Sequence, residues 1–248
     1  MSEKKVIVDV NDVTIRFNLS NHKVDNLKEY VIKLIKKELL FQEFFAVKNI
    51  SFRVHEGESW GLIGANGSGK STLLKAISGI LKPYQGSISV YGDVAPLIEL
   101  GAGFDPDLTA RENIYLNGCV LGHSEKFMQE HFDEIVDFAD IRRFLDSPLK
   151  NYSSGMRARL GFAIATMVKP DILIVDEVLA VGDFQFRQKC EKRMKELLSG
   201  GTTLLYVSHN IDEVRRLCDH AIWLDKGVAR MQGDMEEVCD AYMAEMKK

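Results

Sequence analysis

Nowhere in the 248 residues does an apolar run reach the ~18 residues that a membrane-spanning helix needs. Any place at a membrane must therefore come from another subunit. The N-terminal Met1-Ser2-Glu3-Lys4-Lys5 leads into alternating residues rather than the apolar segment and cleavage site of a signal peptide, so the expected compartment is the cytoplasm. Cysteine is scarce: Cys119, Cys190, Cys218 and Cys239 are scattered with no C-x-x-C pair, which suggests neither a disulfide framework nor a zinc site. Strong charge of one sign is missing too. A net charge of -4 offers no electrostatic attraction to nucleic acid. No internal repeat or low-complexity tract is present. What remains is 46% hydrophobic and 27% charged residues, the balance of an ordinary globular protein, at a length that suits one α/β domain with a helical subdomain.

Val6, Val8, Val10, Val13, Ile15 and Phe17 alternate with polar neighbours, and a second alternating run covers Val47 to Val54, so both read as half-buried strands. A charged turn, His55-Glu56-Gly57-Glu58, precedes the apolar strand Ser59–Ile63. Helical spacing follows from Lys70 to Ser78, then turn chemistry at Lys82–Gly86 and short strands near Ile88 and Val94. Residues 105–168 are expected to be largely helical. Strand patterns return at Ile172–Asp176, Thr203–Ser208 and Ala221–Asp225, and a final helix is expected over 234–246. Between about 24 and 45, Val24, Leu27, Val31, Leu34, Ile35 and Leu39 recur at threes and fours among Lys28, Lys33, Lys36 and Lys37, the pattern of a basic amphipathic helix.

Gly64-Ala65-Asn66-Gly67-Ser68-Gly69-Lys70-Ser71 fits G-x-x-x-x-G-K-[ST], after an apolar strand and at the opening of a helix, with Thr72 continuing it. Glycines there let consecutive N–H groups turn inward around phosphate oxygens, and the helix N-terminus adds its dipole. Lys70 is expected to reach the β- and γ-phosphates of ATP, and the Ser71 hydroxyl to ligate Mg²⁺. The strand Ile172–Val175 ends in Asp176 and Glu177, the edge where α/β folds place ligand groups. Asp176 is expected to hold Mg²⁺, and Glu177 to orient or deprotonate the attacking water. A third apolar strand ends at Ser208-His209-Asn210, delivering His209 toward the same edge; it reads either as a γ-phosphate contact or as an ordinary capping residue. Phe17 is the candidate to stack on adenine.

These elements, in this order, resemble ABC ATPases over nearly the whole chain. The resemblance implies a P-loop NTPase core of RecA-like type with an antiparallel β subdomain and an α-helical subdomain. It also implies a signature loop at Tyr152-Ser153-Ser154-Gly155-Met156, followed by a helix over Arg157–Val168, that closes over the ATP of a second copy. The family's Leu-Ser-Gly-Gly-Gln wording survives only in the Ser and the second Gly, and in the D-loop, Ala180-Val181-Gly182-Asp183, only the Asp carries over. Where the family places a Gln near the metal, Leu97–Phe104 holds none, and Glu99 is the nearest polar substitute.

Ile98–Phe104, Arg111–Gly118, Tyr152–Met156 and Val175–Asp183 together are similar to the ATP-binding subunits of bacterial exporters of polysaccharides, O-antigens and teichoic acids. That resemblance implies ATPase activity coupled to export of a lipid-linked glycan, a homodimer, two copies of a transmembrane permease subunit, a peripheral place on the cytoplasmic face, and no nucleic acid. It also leads us to expect no C-terminal glycan-binding domain in this chain. The basic helix reads either as a surface facing the permease or as a helix packed on its own core. A non-transport ABC ATPase, or one driving another substrate, is the rival reading.

Overall fold

The computed structural model describes residues 4–20, 41–98, 100–101, 103–176 and 183–246. Three strands form an antiparallel sheet ordered β2-β1-β4: β1 (Val6–Ser20), β2 (Phe41–His55) and β4 (Gln85–Val90). Six strands form a second sheet ordered β5-β6-β7-β3-β8-β9, built from β3 (Ser59–Ile63), β5 (Val94–Leu97), β6 (Ile172–Asp176), β7 (Thr203–Val207), β8 (His220–Asp225) and β9 (Val228–Asp234). Its pairings are parallel from β5 through β8, and β9 closes the edge antiparallel. The helices are α1 (Lys70–Ile77), α2 (Ala110–Val120), α3 (Glu125–Ala139), α4 (Ser154–Ala165), α5 (Phe184–Ser199), α6 (Ile211–Leu217) and α7 (Met235–Met246).

Side-chain alternation distributes the central strands between two cores. Ile172, Ile174, Leu205 and Val207 face a core shared with α1 and the three-stranded sheet, where Val8, Val10, Val47, Leu73 and Leu74 are buried. Leu173, Val175, Leu204 and Tyr206 face the opposite core, against Phe162, Phe186, Met194 and Val238. Strands buried on both faces have no polar side, which is why β6 and β7 read as continuous apolar runs. A third core, with Ile114, Met128, Ile135, Leu149 and Leu160, lies among α2, α3 and α4. Apolar burial of this kind contributes about 25 cal/mol per Å², so each fully covered Leu or Ile contributes on the order of 2 kcal/mol.

Several boundaries differ from the sequence expectation. Phe41–Phe45, expected at the end of the basic helix, are strand: Phe41 pairs with Ser20, Glu43 with Asn18 and Phe44 with Phe17. Once β1 runs on to Ser20, its ladder supplies partners for these backbone groups, and pairing outweighs helical spacing. The rest of that segment, 24–40, lies outside the described residues. The helix after the signature loop begins at Ser154 rather than Arg157, because the Ser153 hydroxyl accepts from the Met156 amide and caps it early, and it ends at Ala165 rather than Val168. Strand β9 differs from the sequence expectation as well: its accessibility alternates regularly, but its inward positions are Ala229, Met231 and Gly233 and its outward ones begin with Val228, so the sequence carries little strand pattern. Its last residue, Asp234, accepts from the Glu236 and Glu237 amides, so the final helix starts at Met235.

Candidate nucleotide site

Strand β3 hands the chain to the loop Gly64–Gly69 at the C-terminal edge of the six-stranded sheet, and α1 begins at Lys70. Gly64, Gly67 and Gly69 all take positive φ, at 142°, 79° and 105°, which side-chain-bearing residues adopt only with strain. Helices α2 to α6 are each capped by a side chain, from Thr109, Ser124, Ser153, Asp183 and Asn210. Helix α1 has no side-chain cap and no acidic residue in its first turn. Its amide donors and positive dipole end are thus left for an anion rather than for a side chain.

The Lys70 ammonium is buried, 6% exposed, and donates to the carbonyls of Gly64 at 2.8 Å and Ala65 at 3.1 Å. A pocket of about 410 Å³ opens over this loop, lined by Asn66, Gly67, Gly69, Lys70, Ser71, Thr72 and Asp176 at one end and by Phe17, Phe44 and Ala46 at the other. Ser71 and Asp176 bring a hydroxyl and a carboxylate to one cavity, the hard oxygen donors that Mg²⁺ prefers. Ser68 is buried at 3% exposure, and its hydroxyl has no hydrogen-bond partner among the described residues, a polar atom in the phosphate loop that a ligand oxygen or water would satisfy.

Of the residues named from sequence, Gly64, Ala65 and Ser68 belong to the loop without lining the pocket. His209 is exposed and follows β7, whose Val207 pairs with Asp176 on one side and Leu62 on the other, so it leaves the sheet between the Asp176 strand and the phosphate-loop strand. Ser153, Ser154, Gly155 and Met156 lie apart, at the N-terminus of α4, with both serines exposed. Glu99, Glu177 and Ala180–Gly182 lie outside the described residues.

Asp183 caps α5 by accepting from the Phe186 amide at 2.9 Å and pairs with Arg159 of α4 at 2.6 Å. The Phe186 amide, and then the Arg159 guanidinium, hold its carboxyl below the usual carboxylate range. This ties the helix behind the Ser153 loop to the N-terminus of α5.

Phe44 and Ala46 were missed by sequence reasoning. They lie on the part of β2 that precedes Val47, where the ladder with β1 shifts register between Ile15 and Arg16, so the alternation read from Val47 to Val54 does not carry back to them. Phe44 is the direct cross-strand partner of Phe17; the two are 46% and 37% exposed, a pair of apolar rings left open at the pocket.

Comparison with known proteins places this geometry. Residues 47–180 match the family model described as "ABC transporter". The chain is 42% identical to an O-antigen export system ATP-binding protein, RfbB, of Klebsiella pneumoniae, over 97% of this chain and 98% of that one. It is 41% identical to a teichoic acids export ATP-binding protein, TagH, of Bacillus anthracis, over 97% of this chain but only 43% of the longer relative. In fold it is similar to a dimeric ATP-binding cassette in a post-hydrolysis state bound to ADP and Pi, with a TM-score of 0.72 at 22% identity, covering 92% of this chain and 99% of that one. The chain belongs to the ABC transporter family and is one of its ATPase cassettes.

Proposed function

We propose that this chain is the ATP-hydrolysing subunit of an exporter that moves a lipid-linked cell-surface glycan, of O-antigen or teichoic acid type, across the cytoplasmic membrane. It works as a homodimer held peripherally on the cytoplasmic face by two copies of a permease subunit. The glycan class rests on the near full-length likeness to the O-antigen protein and on the teichoic acid relative.

The observation that carries the ATPase reading is the single pocket that joins Lys70, Ser71 and Asp176 to Phe17 and Phe44. The amides of Gly67–Ser71 and the Lys70 ammonium grip the phosphates. Ser71 and Asp176 hold Mg²⁺, with Glu99 in the place of the family's glutamine; when bound, the ion offsets phosphate charge. Glu177 orients and deprotonates the attacking water, and His209 steadies the γ-phosphate. Ser153, Ser154, Gly155 and Met156, on the capped end of α4, close over the nucleotide held by the second copy. The basic stretch 24–40 and the Glu99–Phe104 loop face the permease.

Substituting Glu177→Gln tests the reading. Hydrolysis is expected to fall by more than about 100-fold while ATP binding is kept and a stable dimer accumulates on size-exclusion chromatography. Equal turnover by variant and wild type would remove Glu177 from its role.

A further inference from the structure

Behind His209 lies a buried cluster that none of the roles above uses. Tyr206, on β7, is 1% exposed, and its hydroxyl donates to Glu213 Oε2 at 2.5 Å. The Ser208 hydroxyl, 2% exposed, donates to that same oxygen at 3.1 Å. The Ser208 oxygen in turn accepts from the Asn210 amide at 3.0 Å, and Asn210 Oδ1 accepts from the Asp212 amide at 3.0 Å, capping α6. One carboxylate oxygen on the first turn of α6 therefore ties residues 206 and 208 directly and 210 through Ser208. His209 is the exposed residue in the middle of this clasp.

The cluster hangs on the strand that lies between the two strands leading into the pocket. β7 is the strand between β6, which ends at Asp176, and β3, which feeds the phosphate loop. A turn leaving β7 swings on a short radius, and the direction of the His209 side chain follows from the backbone at 208–210. A buried phenol held on a half-buried carboxylate is also a high-stakes arrangement: burial, and then the Glu213 hydrogen bond, push the Tyr206 hydroxyl above its ordinary range, so it stays a donor.

We propose that Glu213 is a positioning residue for His209: by holding Tyr206 and Ser208 through one oxygen, it fixes the turn that aims the imidazole at the terminal phosphate. Glu213 does not itself line the pocket. The proposal rests on the ATPase reading and on the role given there to His209.

Its test is a double-mutant cycle on the purified full chain, with MgATP turnover and nucleotide binding both measured. Glu213→Gln is expected to lower kcat by about 10-fold with KM within about 2-fold of wild type, and in a His209→Ala background the same substitution should lower kcat less than about 2-fold further. Tyr206→Phe, which keeps the ring and removes only the hydroxyl, should follow the same pattern with a smaller loss, and Glu213→Asp should restore less than wild-type kcat but more than Glu213→Gln. An unchanged kcat in both Glu213→Gln and Tyr206→Phe, or an equal loss with and without the His209 side chain, would overturn the proposal. Absence of turnover in the wild-type chain would instead count against the ATPase reading, so the two failures are distinguishable.

Discussion

Along the C-terminal edge of the six-stranded sheet, the pocket is lined by Asn66, Gly67, Gly69, Lys70, Ser71, Thr72 and Asp176, all polar or glycine; the three-stranded sheet brings only Phe17, Phe44 and Ala46 to it. The first group grips by directed donors and charge, which depend on placement to a fraction of an ångström. The second offers apolar area, which tolerates looser placement. The two meet at a tight joint. A Cβ on Gly69 would lie 2.4 Å from the Ala46 carbonyl oxygen, the Lys48 amide donates to the Gly227 carbonyl at 2.7 Å, and the Gly227 amide donates to the Ser68 carbonyl at 3.0 Å. The polar end thus sets where the aromatic end stands, and a ligand bridging both must carry anionic and flat apolar parts together.

The largest separation of the two ends should come from the ammonium. Lys70→Ala is expected to lower MgATP turnover by at least about 100-fold, read in a coupled phosphate-release assay, whereas Phe17→Ala should leave kcat within about 3-fold. A comparable kcat loss in both would break the contrast drawn above.

Next comes the joint itself. Gly69→Ala places a Cβ against the Ala46 carbonyl at a φ of 105°, so it should destabilise the fold by about 2 kcal/mol or more in urea unfolding. An unchanged midpoint would mean that the loop and the three-stranded sheet are not locked together.

Smaller effects belong to the aromatic pair. Phe17→Ala and Phe44→Ala should each weaken MgATP binding by about 3- to 10-fold, corresponding to about 0.5–1.5 kcal/mol per ring, measured by fluorescence titration. If only one ring matters, the base leans on a single wall and the other Phe is packing. Smallest of all is the ion pair of Arg16 with Glu43, which are 25% and 49% exposed on this sheet. Glu43→Gln should shift stability by less than about 1 kcal/mol, because a solvent-screened pair holds little where the backbone ladder and apolar face already fix the register.

How much of this was legible in the sequence follows the same division. The phosphate loop and the Asp176 strand are short, contiguous segments whose residue types follow directly from their chemistry, so Gly64–Thr72 and Ile172–Asp176 could be read without a fold. Phe44 could not be reached that way. Its place at the pocket comes from pairing with Phe17 across a long stretch of chain, and the helical spacing of Val24 to Leu39 drew the reading of 41–45 with it. The Glu213 clasp is similar in kind: two hydroxyls and a carboxylate spaced over eight residues resemble any polar turn until β7 is seen buried on both faces. Capping chemistry was equally quiet, since Ser153 moves the start of α4 by three residues through one hydrogen bond. Local chemistry shows in local sequence; register and burial do not.

The most direct measurement is calorimetry with two ligands, MgATP and magnesium tripolyphosphate, titrated into the full wild-type chain and into the Phe17→Ala, Phe44→Ala double variant. Heat of association with MgATP in the wild type, weakened in the variant while tripolyphosphate binding is unchanged, is the predicted result. No heat with MgATP in the folded wild-type chain, or an equal loss for both ligands, would contradict a pocket that holds phosphate at the Gly64–Thr72 loop and a base at the paired rings.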